Sequence, residues 1–234
     1  MEKYFENLII PDNIKRIRFD VGLGRDAINS VRWLANNNDL FVFMFDPNPD
    51  SIISTSFFIK NALQIFPSHI STIISSLNYS MFPIGLSNVT EQTSMEFYGM
   101  QNDCGTSSLF EPVKDSVLGP VKQKIQVPVY SLKHVFDLFP WERFPYIEYV
   151  KIDAQGSDFN IIKGMGDYLK ERVIFISAEA DTGCYIGDEY NNLNDISNYL
   201  KTLGFVRIVN PCSIDPTFIN LNLSIKHPHF NHKL

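Results

Sequence analysis

An open α/β fold is predicted: a mostly parallel, seven-stranded sheet with helices on both faces, finished by an antiparallel hairpin. Three observations predict it. Leu40–Phe45 reads LFVFMF without a polar interruption, as a strand buried on both faces of a parallel sheet does. From residue 16 onward, apolar strand-like runs alternate with helix-like stripes, the pattern of a sheet flanked by helices. Two late strand-like runs, 205–209 and 218–223, are separated only by a proline-bearing loop, so they pair as antiparallel neighbours.

The elements follow in order. Arg16–Val21 alternates and then turns apolar, as a strand entering a core does, and Gly22-Leu23-Gly24 breaks it. Asp26 is expected to cap a helix over about 27–37, with Ile28, Val31 and Leu34 on one stripe. Asp46-Pro47-Asn48-Pro49 ends the next strand, and Asp50 or Ser51 is expected to cap a second helix with Ile52, Ile59, Leu63 and Phe66 on one side. Residues 81–86 read as a third strand, 94–98 as a segment pairing near it, and 125–130 as a further short strand. Between them, 99–124 carries Gly, Ser and Pro and reads as a long excursion, of the kind that is usually functional. Ile147–Ile152 and Val173–Ala178 are core strands. A helix starts near Ser157, and Leu193, Ile196 and Leu200 mark an amphipathic helix before Gly204.

Composition bounds the function. The 234 residues suit a single domain over 1–234, with a core of about 14–224 and a polar tail over 225–234. With 44% hydrophobic and 20% charged residues, the chain has the make-up of a globular protein rather than a disordered one. A net charge of −6 argues against nucleic acid as a substrate, because tracking a phosphate backbone calls for a basic surface. Three cysteines with no C-x-x-C spacing give neither a disulfide framework nor a zinc ribbon. No signal peptide and no membrane-spanning run is read, so a cytoplasmic location is expected. No metal site is assigned, the histidine-bearing tail included, and the oligomeric state is not legible.

Ligands of open parallel sheets sit beyond the carboxyl ends of the strands, where the strand order reverses. Three features fall at such ends. Asp20-Val21-Gly22-Leu23-Gly24 lets the backbone bend and approach a ligand closely. The carboxylate ahead of Gly22 would repel a pyrophosphate and suits a cationic cofactor. The same glycines, read as Gly22-x-Gly24-x-x-Ala27, also satisfy the dinucleotide template, which keeps an NAD-dependent oxidoreductase open. Asp46 stands 22 residues after Gly24, near the spacing of about 20 expected of an acid that binds a ribose. Lys151-Ile152-Asp153-Ala154-Gln155-Gly156-Ser157-Asp158 places a charged turn after a very apolar strand.

These segments resemble the FkbM-type methyltransferases. The resemblance rests on Phe19-Asp20-Val21-Gly22, on Phe45-Asp46-Pro47-Asn48-Pro49, and on Val150-Lys151-Ile152-Asp153-Ala154-Gln155-Gly156-Ser157-Asp158 running into Ile162-Lys163-Gly164. Gly105-Thr106-Ser107-Ser108-Leu109 and Ser177-Ala178-Glu179 are similar to further family segments, so the likeness runs from about 16 to 180. It implies a Rossmann-like class I methyltransferase sandwich, S-adenosyl-L-methionine as cofactor, and O-methylation of a hydroxyl on a sugar or small metabolite. The chain departs from the family at Leu23, Gly24 and Asp26, where Ala-Asn-x-Gly is usual, and at Lys133-His134, where two acids are usual. A catalytically inactive cofactor-binding module is the alternative these departures leave open.

On this reading Asp20, Gly22 and Gly24 hold the methionine end, Asp46 with Asn48 the ribose, and Ser87 lies near the adenine. Asp153 faces the methyl group, with Lys151 and Asp158 as catalytic neighbours. Gln155, Glu179 and His134 are expected to touch the acceptor. An ordinary Asp, with a pKa near 4, is a poor base for a hydroxyl, so positioning is the first role read for Asp153.

Overall fold

The computed structural model describes residues 1–6, 8–65, 78–114, 116–209 and 215–226. Its strands are β1 (Arg16–Val21), β2 (Leu40–Phe45), β3 (Tyr79–Phe82), β4 (Gly85–Leu86), β5 (Thr93–Met100), β6 (Val121–Tyr130), β7 (Ile147–Ile152), β8 (Val173–Ala178), β9 (Phe205–Ile208) and β10 (Thr217–Asn220). Helices α1 (Glu2–Phe5), α2 (Ile28–Asn36), α3 (Pro49–Ile65), α4 (Leu132–Phe136), α5 (Asp158–Lys163), α6 (Asp167–Arg172), α7 (Leu193–Thr202) and α8 (Leu221–Lys226) flank them.

Seven strands form one sheet in the order β3-β2-β1-β7-β8-β10-β9. β10 alone runs against its neighbours, slotting antiparallel between β8 and β9. This is the expected mostly parallel sheet with its closing antiparallel hairpin. The order reverses between β1 and β7, and that seam carries the site.

The apolar strands bury both faces, as their composition requires. Phe41, Phe43 and Phe45 of β2 enter one core, and Leu40, Val42 and Met44 enter the other. Phe19, Phe43, Phe45 and Phe82 stack across three strands, with ring centroids 4.9–5.8 Å apart. Each such ring contributes roughly 1.5–3 kcal/mol by leaving water. The other face of β1 is polar and also buried: Arg16 and Arg18 both pair with Glu148 on β7. Removing one partner of such a buried set costs more than the set contributes.

Several local expectations change. The α2 N-cap is Ala27, in the left-handed region at φ 45° with no side-chain cap, so Asp26 does not cap the helix. Asn48 caps α3 by accepting from the Asp50 amide at 3.1 Å, which displaces Asp50 and Ser51 from that role. Pro49 then occupies the first helical position, where its missing N–H costs nothing. Ile59 is buried as expected, while Phe66 and the Leu63 side chain lie outside the described residues, as do Cys212 and the residues from His227 onward.

The expected strand over 81–86 is two. Pro83 offers no N–H and ends β3, and β4 leaves the main sheet. A second sheet, in the order β4-β6-β5, forms instead. The segment expected near the third strand pairs with β6, which begins at Val121 rather than 125. At the far end, β10 stops at Asn220, whose Oδ1 accepts from the Leu223 amide at 3.3 Å and starts α8 where more strand was expected. Among the described residues, no helix is long and apolar enough to cross a membrane.

Candidate active site

The seam between β1 and β7 forces the chain to bend. Gly22 takes φ +79° and Gly24 φ +62°. A Cβ at Gly22 would lie 1.7 Å from the carbonyl oxygen of Asp153, so this position admits only glycine. The Asp153 amide donates to Val21 O at 3.0 Å, and Gly22 N donates to Phe45 O at 2.9 Å. Three strand tips are thereby tied together. Beside them lies one cavity, lined by Asp20, Gly22, Asp46, Lys151, Asp153 and Glu179 among others. Ile28, expected on the buried stripe of α2, also faces this cavity.

Lys151 joins the tips from beneath. Its Nζ donates to Gly22 O at 2.8 Å and stands 3.5 Å from Asp20 Oδ1 and 3.3 Å from Asp153 Oδ2. Burial by itself would lower the Lys151 pKa, yet Asp20 and Asp153 outweigh it and hold the ammonium charged. Asp20 is buried and also accepts from Ser30 Oγ at 2.6 Å.

Asp46 is held by two backbone amides, from Leu23 at 2.9 Å and Asn48 at 2.8 Å. Burial pushes its pKa up to about 6 even though those amides act the other way. Each oxygen keeps a lone pair for a ligand hydroxyl. Asn48 does not line the cavity. Besides capping α3, its Nδ2 reaches Cys104 O and Ser107 Oγ, each at 3.3 Å, so it ties the Asp46 turn to the 104–107 segment.

At the tips of β7 and β8, Gln155 takes φ +52°, a region that costs a non-glycine residue of order 1 kcal/mol. In return its Nε2 reaches both Asp153 Oδ1 at 2.8 Å and Glu179 Oε2 at 2.6 Å. Asp158, expected to be catalytic, is fully buried and off the cavity. It accepts from the Ala154 amide at 3.3 Å and the Glu179 amide at 3.1 Å, clamping one tip to the other. Burial and then Asp153 raise Asp158 to about 7. Burial, Asp153 and Asp158 raise Glu179 to about 8.

Besides Asn48 and Asp158, two further predicted residues do not line the cavity. The His134 ring accepts from the Ser131 amide at 3.0 Å in the capping box of α4 and lines a separate hollow with Met1 and Tyr130. It is therefore corrected from acceptor contact to helix cap. Ser87 lies behind the cavity, its carbonyl 2.5 Å from where a Cβ on Gly164 would stand. Leu86 and Gly85, just before it, line the cavity instead. The close approach explains the glycine of Ile162-Lys163-Gly164.

Sequence reasoning also missed a cover. The excursion folds a 3-10 turn, Cys104–Thr106, over the mouth, and Asp103, Cys104, Gly105 and Thr106 line the cavity. Gly24 and Gly105 meet there: a Cβ at Gly24 would be 4.0 Å from the Gly105 Cα. The Tyr185 hydroxyl stands 2.6 Å from Thr106 O and 3.1 Å from Gln155 Oε1, and Ser108 Oγ donates to Gln155 O at 2.7 Å. The segment around Tyr185 is itself gathered by Asp188, which accepts from the amides of Gly183, Cys184 and Tyr185. No strong periodicity marks these turns. The Gly, Ser and Pro content of 99–124 and the Gly105-Thr106-Ser107-Ser108-Leu109 stretch were the available signals.

The ionisable lining tests what the cavity could hold. Asp20, Asp46, Asp103, Asp153 and Glu179 face a single cation, Lys151, which is already engaged by Asp20, Asp153 and Gly22. Such a wall favours a sulfonium and an ammonium and disfavours a pyrophosphate. S-adenosyl-L-methionine fits this lining. Among the described residues, no set of three or more His, Cys, Asp or Glu side chains could hold a metal ion.

Comparison with known proteins identifies the family. The sequence model of the Methyltransferase FkbM domain matches residues 16–207. No curated protein matches the chain. Among solved structures, Methyltransferase FkbM from Methylobacillus flagellatus superposes with a TM-score of 0.50 at 12% identity, over 92% of this chain and 46% of that one. The present chain thus spans about half the length of that protein. An assigned rRNA-methylase from Clostridium thermocellum superposes at 0.43 with 11% identity, over 93% and 89% of the two chains, and no argument rests on it.

Proposed function

This chain belongs to the FkbM methyltransferase family, and from that premise we propose that it uses S-adenosyl-L-methionine to methylate a hydroxyl oxygen of a sugar or small metabolite. One observation carries the reading. Acidic side chains at the tips of the adjacent strands β1, β2 and β7 (Asp20, Asp46 and Asp153) line a single cavity at the seam of the sheet.

When bound, S-adenosyl-L-methionine supplies an electrophilic methyl group on a sulfonium. The chain's own residues supply position. Asp20 and the Gly22–Gly24 bend face the methionine end. Asp46 accepts from the ribose hydroxyls, with Asn48 holding the loop that carries it. Gly85 and Leu86 take the place expected of Ser87 beside the adenine. Asp153, tethered by Lys151 and Gln155, orients the acceptor oxygen. Holding the reacting atoms in line is worth several kcal/mol of barrier. The turn over 104–106 excludes water from the mouth.

The acceptor class draws on the walls as well. Asp153 and Glu179 line the cavity where an acceptor would enter, and a carboxylate or phosphate acceptor would be repelled there. A neutral or amino-bearing hydroxyl compound meets no such opposition.

Calorimetric titration tests the cofactor. S-adenosylhomocysteine and S-adenosylmethionine should bind, NAD should not, and Asp46→Ala should weaken binding at least about tenfold, or ~1.4 kcal/mol. Transfer of labelled methyl to a panel of glycosides, with matched carboxylic acids alongside, tests the acceptor. Binding of NAD in place of the methyl donor would sink the proposal.

A further inference from the structure

We propose that Glu179, rather than Asp153, is the catalytic residue that takes the proton of the acceptor hydroxyl. This rests on the function proposed above and names the proton's destination.

Both carboxylates line the cavity, and Gln155 Nε2 bridges them at 2.8 and 2.6 Å. Their surroundings differ in one decisive respect. Lys151 Nζ stands 3.3 Å from Asp153, whereas among the described residues no ion pair reaches Glu179. Two neighbouring carboxyls do not readily ionise together, so the pair shares a proton. The Lys151 cation decides which member keeps the negative charge. That ammonium stands at the Asp153 end of the bridge and away from Glu179, so the shared proton resides on Glu179.

The groups around Glu179 act in the same sense. Asp153 faces it from β7, Asp158 from the head of α5, and Asp215 from just before β10; the three are its charged neighbours after burial itself. Tyr185 and Cys184, on the loop after β8, lie close enough to feel its charge. Burial and these acids hold its pKa to about 8. That places it near the working range of a general base, where an ordinary carboxylate is too weak. Gln155 is held for the task by Tyr185 and by its own left-handed backbone.

The step balances. The acceptor oxygen bonds to the methyl carbon as the methyl–sulfur bond breaks, its electron pair going to sulfur. Glu179 first gives its resting proton to solvent, as it does above about pH 8, and the hydroxyl proton then passes to its carboxylate oxygen. Neutral thioether, methylated oxygen and protonated Glu179 remain, and the proton then leaves to solvent. Asp153 serves the orientation of the oxygen.

Infrared difference titration of the whole protein, free and with S-adenosylhomocysteine, tests the assignment without turnover. Wild type should show a carboxyl titrating near pH 8. Glu179→Gln should abolish that signal. Asp153→Asn should keep it and move it to lower pH, because a neighbouring negative charge is gone. With methyl glucoside as hydroxyl probe, wild-type kcat/KM should climb with pH through the same value. Glu179→Gln should lose about 10²–10⁴-fold and the climb with it. A carboxyl still titrating near pH 8 in Glu179→Gln, or loss of the shifted signal in Asp153→Asn, overturns the proposal, as does wild-type transfer by Glu179→Gln. Failure of wild type to bind S-adenosylhomocysteine in calorimetry would count against the parent function instead, so the two failures are distinguishable.

Discussion

Lys151 Nζ donates to the carbonyl oxygen of Gly22 at 2.8 Å, so the side chain of one strand holds the bend that follows its neighbour. The same ammonium faces Asp20 and Asp153. Fold and site are therefore joined at a single charge.

Replacing Lys151 with Met tests that joint. Asp20 would remain buried without its cation, a loss of the kind that costs roughly 3–5 kcal/mol. Chemical denaturation should register it as a lower midpoint with little change in slope. Stability within about 0.5 kcal/mol of wild type would refute the assignment.

Gly22→Ala should be worse tolerated than its size suggests. The added Cβ meets Asp153 O at 1.7 Å, and φ +79° is itself unfavourable for alanine. Strain and displacement of the β7 tip should cost about 3 kcal/mol and cut S-adenosylhomocysteine affinity, as read by thermal melting and calorimetry.

Stability should fall as pH rises from about 5 to 9. Asp46, Asp158 and Glu179 have pKa values of about 6, 7 and 8 in the folded chain. Unfolded carboxyls titrate near 4. The folded state thus binds these protons more tightly, and it loses ground once the unfolded chain has released them. The loss is complete when pH passes the folded values. Melting curves should show Glu179→Gln gaining on wild type across this window. A gap constant with pH would contradict the assignment.

Tyr185→Phe should loosen the cover over the mouth. It deletes the contacts to Thr106 O and Gln155 Oε1 at a cost of about 1 kcal/mol. Faster amide hydrogen exchange over 103–109 should follow, with the β1 and β2 amides unchanged.

His134→Ala should leave donor binding intact while costing about 1 kcal/mol of stability, since its ring serves the α4 cap. A raised KM for the acceptor at unchanged donor affinity would return His134 to the site.

By itself the sequence determined the strands β1, β2, β7 and β8 to the residue, and with them the tips that carry Asp20, Asp46 and Asp153. β2 and β8, buried on both faces, are almost wholly apolar, while β1 and β7 alternate apolar with polar residues, so the limits of all four are written in composition. The glycine of the bend and the acids beside it were legible for the same local reason. Tertiary structure decided what depends on partners distant in the chain. It divided the 81–86 run at Pro83, built the second sheet from β4, β5 and β6, and moved His134 to a helix cap. It also buried Asp158 away from the cavity and set Lys151 beside Asp153 and not beside Glu179. Charge and burial are properties of an assembled neighbourhood. A residue's type announces that it can ionise, and only the groups packed around it decide which of two carboxyls holds the proton.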